Sequence, residues 1–358
     1  MRIEEIEFWL REQNAQKLAE LYKNADLIRK ENVGDAVHLR GLIEISNYCT
    51  RACAYCGLNC DQSITRYRMS HDEIIKCAKE AVEFGYGTVV LQAGEDPRVT
   101  QDFIAKIIKE IKVETDLAVT LSLGERSFDE LKAWKMAGAD RYLLRFETSD
   151  KKLFNLIHPA DCSASSCDST PTSSRGLTAG SRDRIAILKE LKQLGYETGS
   201  GVMLGIPGQT YQSLANDIIL FTKLDLDMIG IGPYIKDPNT PLGSGALAPY
   251  VNAEDQVPSG ENITYKAVAL TRIMRPDANI PATSALATIN KANGRELALM
   301  RGANVVMPNL TPLQYRQHYT IYPDKACINE TADMCKDCLA ARIATIGRTI
   351  GKGQGGRK

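Results

Sequence analysis

A chain of 358 residues is long enough for one barrel-sized domain or two smaller ones. Its 44 Lys plus Arg balance 44 Asp plus Glu, so no charge excess draws it to nucleic acid or to an acidic lipid surface. No apolar run reaches the roughly 18 residues of a membrane span, and Met1-Arg2-Ile3-Glu4-Glu5 lacks the layout of a signal peptide. A cytoplasmic protein without nucleic-acid or membrane partners is expected. There, ten cysteines read as metal ligands or free thiols rather than disulfides.

Residues 1–36 read as a helical lead-in, with Ile6, Leu10, Leu18, Leu21 and Leu27 at helical spacing. Beyond it, strand-like runs alternate with amphipathic helices. The predicted strands are Leu42–Ser46, Thr88–Gln92, Ala118–Ser122, Arg141–Arg145, Gly199–Met203, Met228–Gly232, Ile280–Ser284 and Asn304–Met307. Helices are predicted over Ser70–Phe84, Gln101–Lys112, Phe128–Met136, Arg182–Leu194, Tyr211–Leu224, Ile263–Met274 and Arg295–Met300, the first opened by a Ser70/Glu73 capping box. Gly85, Gly138, Gly195 and Gly302 each stand just before a strand, where a left-handed residue stops a helix. Eight such units predict an α/β fold, a (β/α)8 TIM barrel over 37–312, with an open doubly wound sheet as the competing architecture. A Ser/Thr-rich insertion at 162–180 interrupts the pattern, and Cys162 and Cys167 inside it receive no ligand role. Residues 313–358 form a C-terminal extension ending in a glycine-rich, basic stretch that reads as a loose tail.

The chemistry starts after the first strand, at Cys49-Thr-Arg-Ala-Cys53-Ala-Tyr-Cys56. Three thiolates on one short loop can bind three irons of a cubane and leave the fourth without a protein ligand; for zinc they are one ligand short. Cys60 falls outside this spacing. In a barrel the strand C-termini make the active-site mouth, and polar residues gather at nearly all of them. They include Gln92, Gly94 and Glu95, then Thr120 and Ser122, Arg145 and Glu147, Met203, Thr283 and Ser284, and Met307, with Tyr319 and Tyr322 following. Several of these have a plainer reading. Arg145 and Glu147 would form a buried ion pair, the hydroxyls would fill barrel layers, and Met203 and the two tyrosines would be packing. A second thiol set, Cys327, Cys335 and Cys338, reads as half of a zinc site or as an accessory cluster site; with only four histidines in the chain, the cluster is preferred.

The cysteine loop with its aromatic Tyr55 resembles the radical S-adenosylmethionine (SAM) superfamily. Within it, Leu91-Gln-Ala-Gly-Glu-Asp-Pro97, Val119-Thr-Leu-Ser-Leu-Gly124, Asp140-Arg-Tyr-Leu-Leu-Arg145, Gly205-Ile-Pro-Gly-Gln-Thr210, Ile280-Pro-Ala-Thr283 and Val306-Met-Pro-Asn309, in order, resemble the HydE family of FeFe-hydrogenase maturases. The resemblance implies a 4Fe–4S cluster on Cys49, Cys53 and Cys56, with SAM chelated to its open iron. It implies cofactor contacts at Tyr55, Gly94, Glu95, Glu147, Arg184 and Met203. Substrate contacts are implied at Gln92, Thr120, Ser122, Arg145, Thr283, Ser284, Met307, Tyr319 and Tyr322. The implied substrate is a small cysteine-bound iron carbonyl/cyanide complex, and Cys327, Cys335 and Cys338 match the family's optional second cluster. An electron donor of ferredoxin or flavodoxin type and the other hydrogenase maturases are the implied partners. The chain departs from the family pattern at Ala93, where some members carry serine, and at Phe146, where a histidine is usual. A methylornithine synthase-like or biotin synthase-like enzyme and a non-enzymatic iron–sulfur carrier are the alternatives.

Overall fold

The computed structural model describes residues 1–159, 183–251 and 254–357; the predicted insertion, with Cys162 and Cys167, lies outside them. Parallel strands β1 (Ala36–Ser46), β2 (Thr88–Ala93), β3 (Ala118–Ser122), β4 (Arg141–Leu143), β5 (Glu197–Leu204) and β6 (Met228–Pro233) pair in sequence order. Short β7 (Val305–Val306) pairs with β1 on its other side. Between β6 and β7 the ring closes through single bridges, Asn279 to Met228 and Pro281 to Val305. The parallel sheet, closed in this way, is the barrel predicted from the eightfold pattern.

The seventh predicted strand, Ile280–Ser284, shrinks to these bridges for a local reason. Pro281 has no N–H for a ladder, and the chain turns at Thr283 into a helix over Ser284–Ile289. Along β1 the odd residues Val37, Leu39, Ile43 and Ile45 enter the main apolar core, so Arg40, Leu42, Glu44 and Ser46 point the other way, into the barrel. Gly85, Gly138, Gly195 and Gly302 all take positive φ, as their place at helix ends predicts. The lead-in is two helices, Ile3–Arg11 and Ala15–Val33, which pack on the outer helices Tyr211–Lys223 and Glu261–Met274.

The C-terminal stretch is not loose. After helix Ala332–Thr345, strand β8 (Thr349–Ile350) pairs with the start of β1, and residues 351–357 cross the barrel floor. The Gln354 carbonyl accepts from Thr88 Oγ1 at 2.8 Å and Arg141 Nη2 at 3.1 Å. The Gly355 carbonyl accepts from Arg40 Nη2 at 3.0 Å and Asn279 Nδ2 at 3.2 Å. Arg357 is clamped by Asp225, Asp227 and Asp277. The glycines let this backbone fit: a Cβ on Gly87 would sit 1.8 Å from the Gly353 carbonyl oxygen. Glycine content suggested a tail without structure; here it permits close approach.

Candidate active site

The cysteine loop leaves β1 at the C-terminal rim. Arg66 organises it by donating to the carbonyls of Asn47, Leu58, Asn59 and Gln62. Nothing in the sequence signals this, since an arginine ten residues past the motif reads as surface charge. Gly94 is needed for the loop itself, because a Cβ there would lie 2.3 Å from the Tyr48 carbonyl oxygen and 2.8 Å from Cys49 Cβ. The Glu95 carbonyl accepts from Thr50 N and Oγ1, both at 3.1 Å. The space beside Gly94 is thus filled, on this side, by the cysteine loop itself.

Burial pushes all three thiols up, Cys56 to about 12, and Cys53 feels the charges of Cys49 and Cys56 as well. Three thiolates in that place need a cationic partner. Three soft thiolates on one short loop fit separate irons of a cluster and are one ligand short for a closed tetrahedral zinc. Cys60 is disulfide-bonded, against the expectation for the compartment, and is thereby removed from the ligand set.

A helix the sequence pattern missed, Lys151–Ile157, brings a second wall to the loop. The Ile157 carbonyl accepts from Ala54 N at 2.9 Å. His158 Nδ1 lies 3.1 Å from the Phe154 carbonyl and so carries the proton there, which leaves Nε2 to accept from Tyr55 Oη at 3.1 Å. Burial, helped by Arg184, keeps this histidine neutral. Tyr55 and Met203 share a small apolar cluster with Ala54, Ile157, Ile206 and Tyr234. Met203 therefore packs as an apolar residue and does so beside the loop.

Arg184 opens helix Arg184–Gln193, capped by Asp183. Its Nε donates to Glu125 Oε1 at 2.9 Å and its Nη1 to the Arg145 carbonyl at 2.8 Å. Glu125 also meets Arg51 at 3.3 Å, and its N–H donates to Glu95 Oε1 at 3.2 Å. Glu125 was not singled out from the sequence; its position directly past the end of β3 was the available signal. Burial, then the Glu125 charge, raises the Glu95 carboxyl.

Glu147 is a buried, non-glycine residue at φ +62°. Such a conformation costs about 1–3 kcal/mol and survives only where surroundings hold it. Its N–H donates to Gly201 O at 3.1 Å and its carbonyl accepts from Met203 N at 3.2 Å. Its Oε2 lies 3.2 Å from Arg145 Nη2, yet has no hydrogen bond. The ion pair of the plainer reading therefore exists, and it leaves a buried carboxylate oxygen unsatisfied.

Asp217 braces this turn from helix Tyr211–Lys223, its Oδ1 accepting from Ser149 N at 2.6 Å. Burial raises its carboxyl to about 7. A carboxyl raised on folding contributes stability that is complete below the unfolded value near 4 and is lost as pH climbs through about 7. Asp217→Asn keeps the acceptor without the charge. Urea unfolding is expected to show the parent weaker at pH 8 than at pH 6, and the variant without that loss.

Deeper in the lumen, Gln92 Nε2 donates to Tyr319 Oη at 3.2 Å, and Ser284 Oγ lies 2.9 Å from Tyr322 Oη. Thr120 Oγ1, Thr283 Oγ1 and Arg145 Nε are buried without partners. Ser122 follows Thr120 on the same strand face, in register with Gln92. A lateral cavity of about 440 Å³ is lined by Ser284, Met307, Asn309 and Lys325 on the barrel side, and by Cys327 and Cys338 on the outer side. Arg295 Nη1 and Nη2 both lie 3.8 Å from Cys327 Sγ. Cys335 lies on helix Ala332–Thr345, but its side chain is outside the described set.

Comparison with known proteins agrees with this geometry. The model of the Radical SAM superfamily matches residues 43–220, from within β1 into helix Tyr211–Lys223. The [FeFe] hydrogenase maturase subunit HydE of Thermotoga maritima is 45% identical over 339 residues, 94% of this chain and 88% of that protein. The 3-methylornithine synthase of Methanosarcina acetivorans is 26% identical over 297 residues, 82% of this chain and 75% of that one. Among solved structures, methylornithine synthase PylB superposes with a TM-score of 0.77 at 22% identity, covering 98% of this chain and 94% of that one. The hydrogenase maturase HydG gives 0.65 at 18% identity, covering 86% and 64%; both likenesses speak for the fold alone.

A parallel barrel with three thiols after its first strand defines a radical SAM enzyme. Within that class, the chain belongs to the HydE family. The cluster and cofactor expected for the family are 4Fe–4S and SAM. Among the described residues no helix is long and apolar enough to cross a membrane.

Proposed function

We propose that this enzyme acts in maturation of FeFe-hydrogenase, with Cys49, Cys53 and Cys56 holding the 4Fe–4S cluster. Tyr55, Gly94, Glu95, Glu147, Arg184 and Met203 surround SAM in this reading. The observation that carries it is the meeting, at one barrel rim, of three half-buried thiols with the buried Glu147 carboxylate, whose Oε2 is ion-paired with Arg145 but accepts no hydrogen bond. When bound, cluster and SAM supply a 5′-deoxyadenosyl radical on one-electron reduction. The chain's own residues orient the reactants and keep water out, Tyr55 being fixed for this by His158.

The substrate is a small cysteine-bound iron carbonyl/cyanide complex, an anionic guest for the lumen below. The unpartnered Arg145 Nε and the hydroxyls of Thr120 and Thr283 support this, as groups awaiting a polar ligand. Cys327 and Cys338, with Cys335, hold a second cluster beside the lateral cavity. A ferredoxin- or flavodoxin-type donor supplies the electron, and the other maturases receive the product. Expression in a host whose own HydE-type maturase has been deleted tests this reading. Restored hydrogenase activity is expected; SAM cleavage without restoration, and with turnover of an amino acid, would move the substrate to the methylornithine synthase type.

A further inference from the structure

One buried charge pair remains outside the roles given so far. Glu44 on the lumen side of β1 and Lys325 in the C-terminal extension are both almost fully buried and form an ion pair through Oε1 and Nζ. Asn309 Nδ2 donates to the other carboxylate oxygen at 2.9 Å, and Lys325 Nζ also donates to the Tyr319 carbonyl at 3.0 Å. A pair this dry gives little net stability compared with apolar residues of the same volume, while removing one partner leaves a costly lone charge. Its location is therefore more informative than its energy.

Lys325 ends a strap, residues 318–325, that lies across the barrel mouth. The strap is tied to the cysteine loop at two points, the His318 carbonyl accepting from Asn47 Nδ2 at 2.7 Å and the Ile321 carbonyl from Gly57 N at 3.1 Å. Fit is tight there, since a Cβ on Gly57 would lie 2.3 Å from the Thr320 carbonyl oxygen. Between these ties Tyr319 meets Gln92 on β2, and just past the second Tyr322 meets Ser284 beyond Thr283. The ammonium of Lys325 also lies 5.0 Å from the centre of the Tyr319 ring. Its contact with Glu44 is an ionic tie from strap to barrel.

We infer that Lys325, through Glu44, is a positioning residue that sets Tyr319 and Tyr322 over the lumen and so determines the fit of the small anionic guest. The kinetic readout rests on the substrate proposed above; the strap's placement does not. In the reconstituted full-length enzyme, the double variant Glu44→Gln/Lys325→Met removes both charges and strands neither. With a synthetic cysteine-bound iron carbonyl/cyanide complex as probe, it is expected to raise KM about tenfold or more, with kcat changed less than threefold. Lys325→Arg, which keeps the pair, is expected to bring KM back to within about threefold of the parent. Hydrogen–deuterium exchange of the same preparations is expected to rise at residues 318–325 in the double variant and to stay at parent level on the helices opposite, such as Gln101–Glu114.

A double variant with parental KM and parental exchange over the strap overturns the inference. So does a matched fall in kcat with no change in KM. Should the parent itself not turn over the probe, the substrate reading fails, and exchange over 318–325 alone decides the strap: parental exchange in the double variant rejects it.

Discussion

Cys53→Ser is expected to reduce 5′-deoxyadenosine formation to background and to leave the reconstituted protein short of iron. Cys53 is the middle thiol, half-buried and within the field of both neighbours. Its carbonyl also accepts from Asn59 Nδ2 at 3.2 Å and from Cys56 N at 3.2 Å, so the backbone that presents it is fixed. A serine hydroxyl is a poor replacement for a soft thiolate on iron, whereas loop geometry stays as it is. The comparison variant is Cys77→Ser, a buried thiol on helix His71–Glu83 in the main core. It is expected to cost some stability and to retain iron and SAM cleavage. Iron analysis and chromatography of the quenched reaction read both outcomes. A Cys53→Ser protein with full iron and parental cleavage would remove this loop from the active site.

Truncation after Ile350 is expected to lower unfolding stability by roughly 3–5 kcal/mol, as for other losses of a partner to buried charge. Arg40 and Arg141 lie on the barrel floor, both nearly inaccessible to solvent. Burial, and then the charge of Arg141, lowers Arg40 to about 9, so this guanidinium already sits in an unfavourable place. The tail supplies its Gly355 acceptor, and Gln354 supplies one to Arg141. Arg141 retains Glu197 at 2.7 Å after truncation; among the described residues Arg40 retains only the Met228 sulfur, at 2.8 Å, as a hydrogen-bond acceptor. Arg357→Ala alone removes pairs at the rim of the floor and is expected to cost about 1 kcal/mol or less. Urea midpoints of the two variants separate these contributions. Equal small losses would mean that the tail merely rests on the barrel.

The barrel was legible because its rules are local and repeat. Alternation of apolar runs, capping at Ser70 and left-handed glycines at four helix ends recur unit after unit, and each reports on its own segment. The rule failed at Ile280–Ser284, where a proline in the ladder and a helix starting at Ser284 shortened the strand. It also passed over Lys151–Ile157, a helix of under two full turns, too short for periodicity to register.

The site was legible only where chemistry is written in spacing, as in the three thiols. Glu125, Arg66, Asp217 and the Glu44–Lys325 pair depend on partners 19 to 281 residues away or on carbonyls that carry no sequence signal. A single buried charge in a sequence does not disclose which distant charge it will meet. The tail shows the same limit from the other side. Its glycines are the residues expected of a disordered end, and they are equally the residues that let a backbone lie flat against Gly87 and His38.

The Glu147 oxygen that accepts no hydrogen bond, set at the same rim as the thiols, ties the cluster to its cofactor in this reading. Electron paramagnetic resonance of the reduced, reconstituted enzyme with and without SAM tests that link most directly. A reduced-cluster spectrum that changes on SAM addition is expected, and Glu147→Gln should require a higher SAM concentration for the same change. A spectrum indifferent to SAM in iron-replete protein would contradict it.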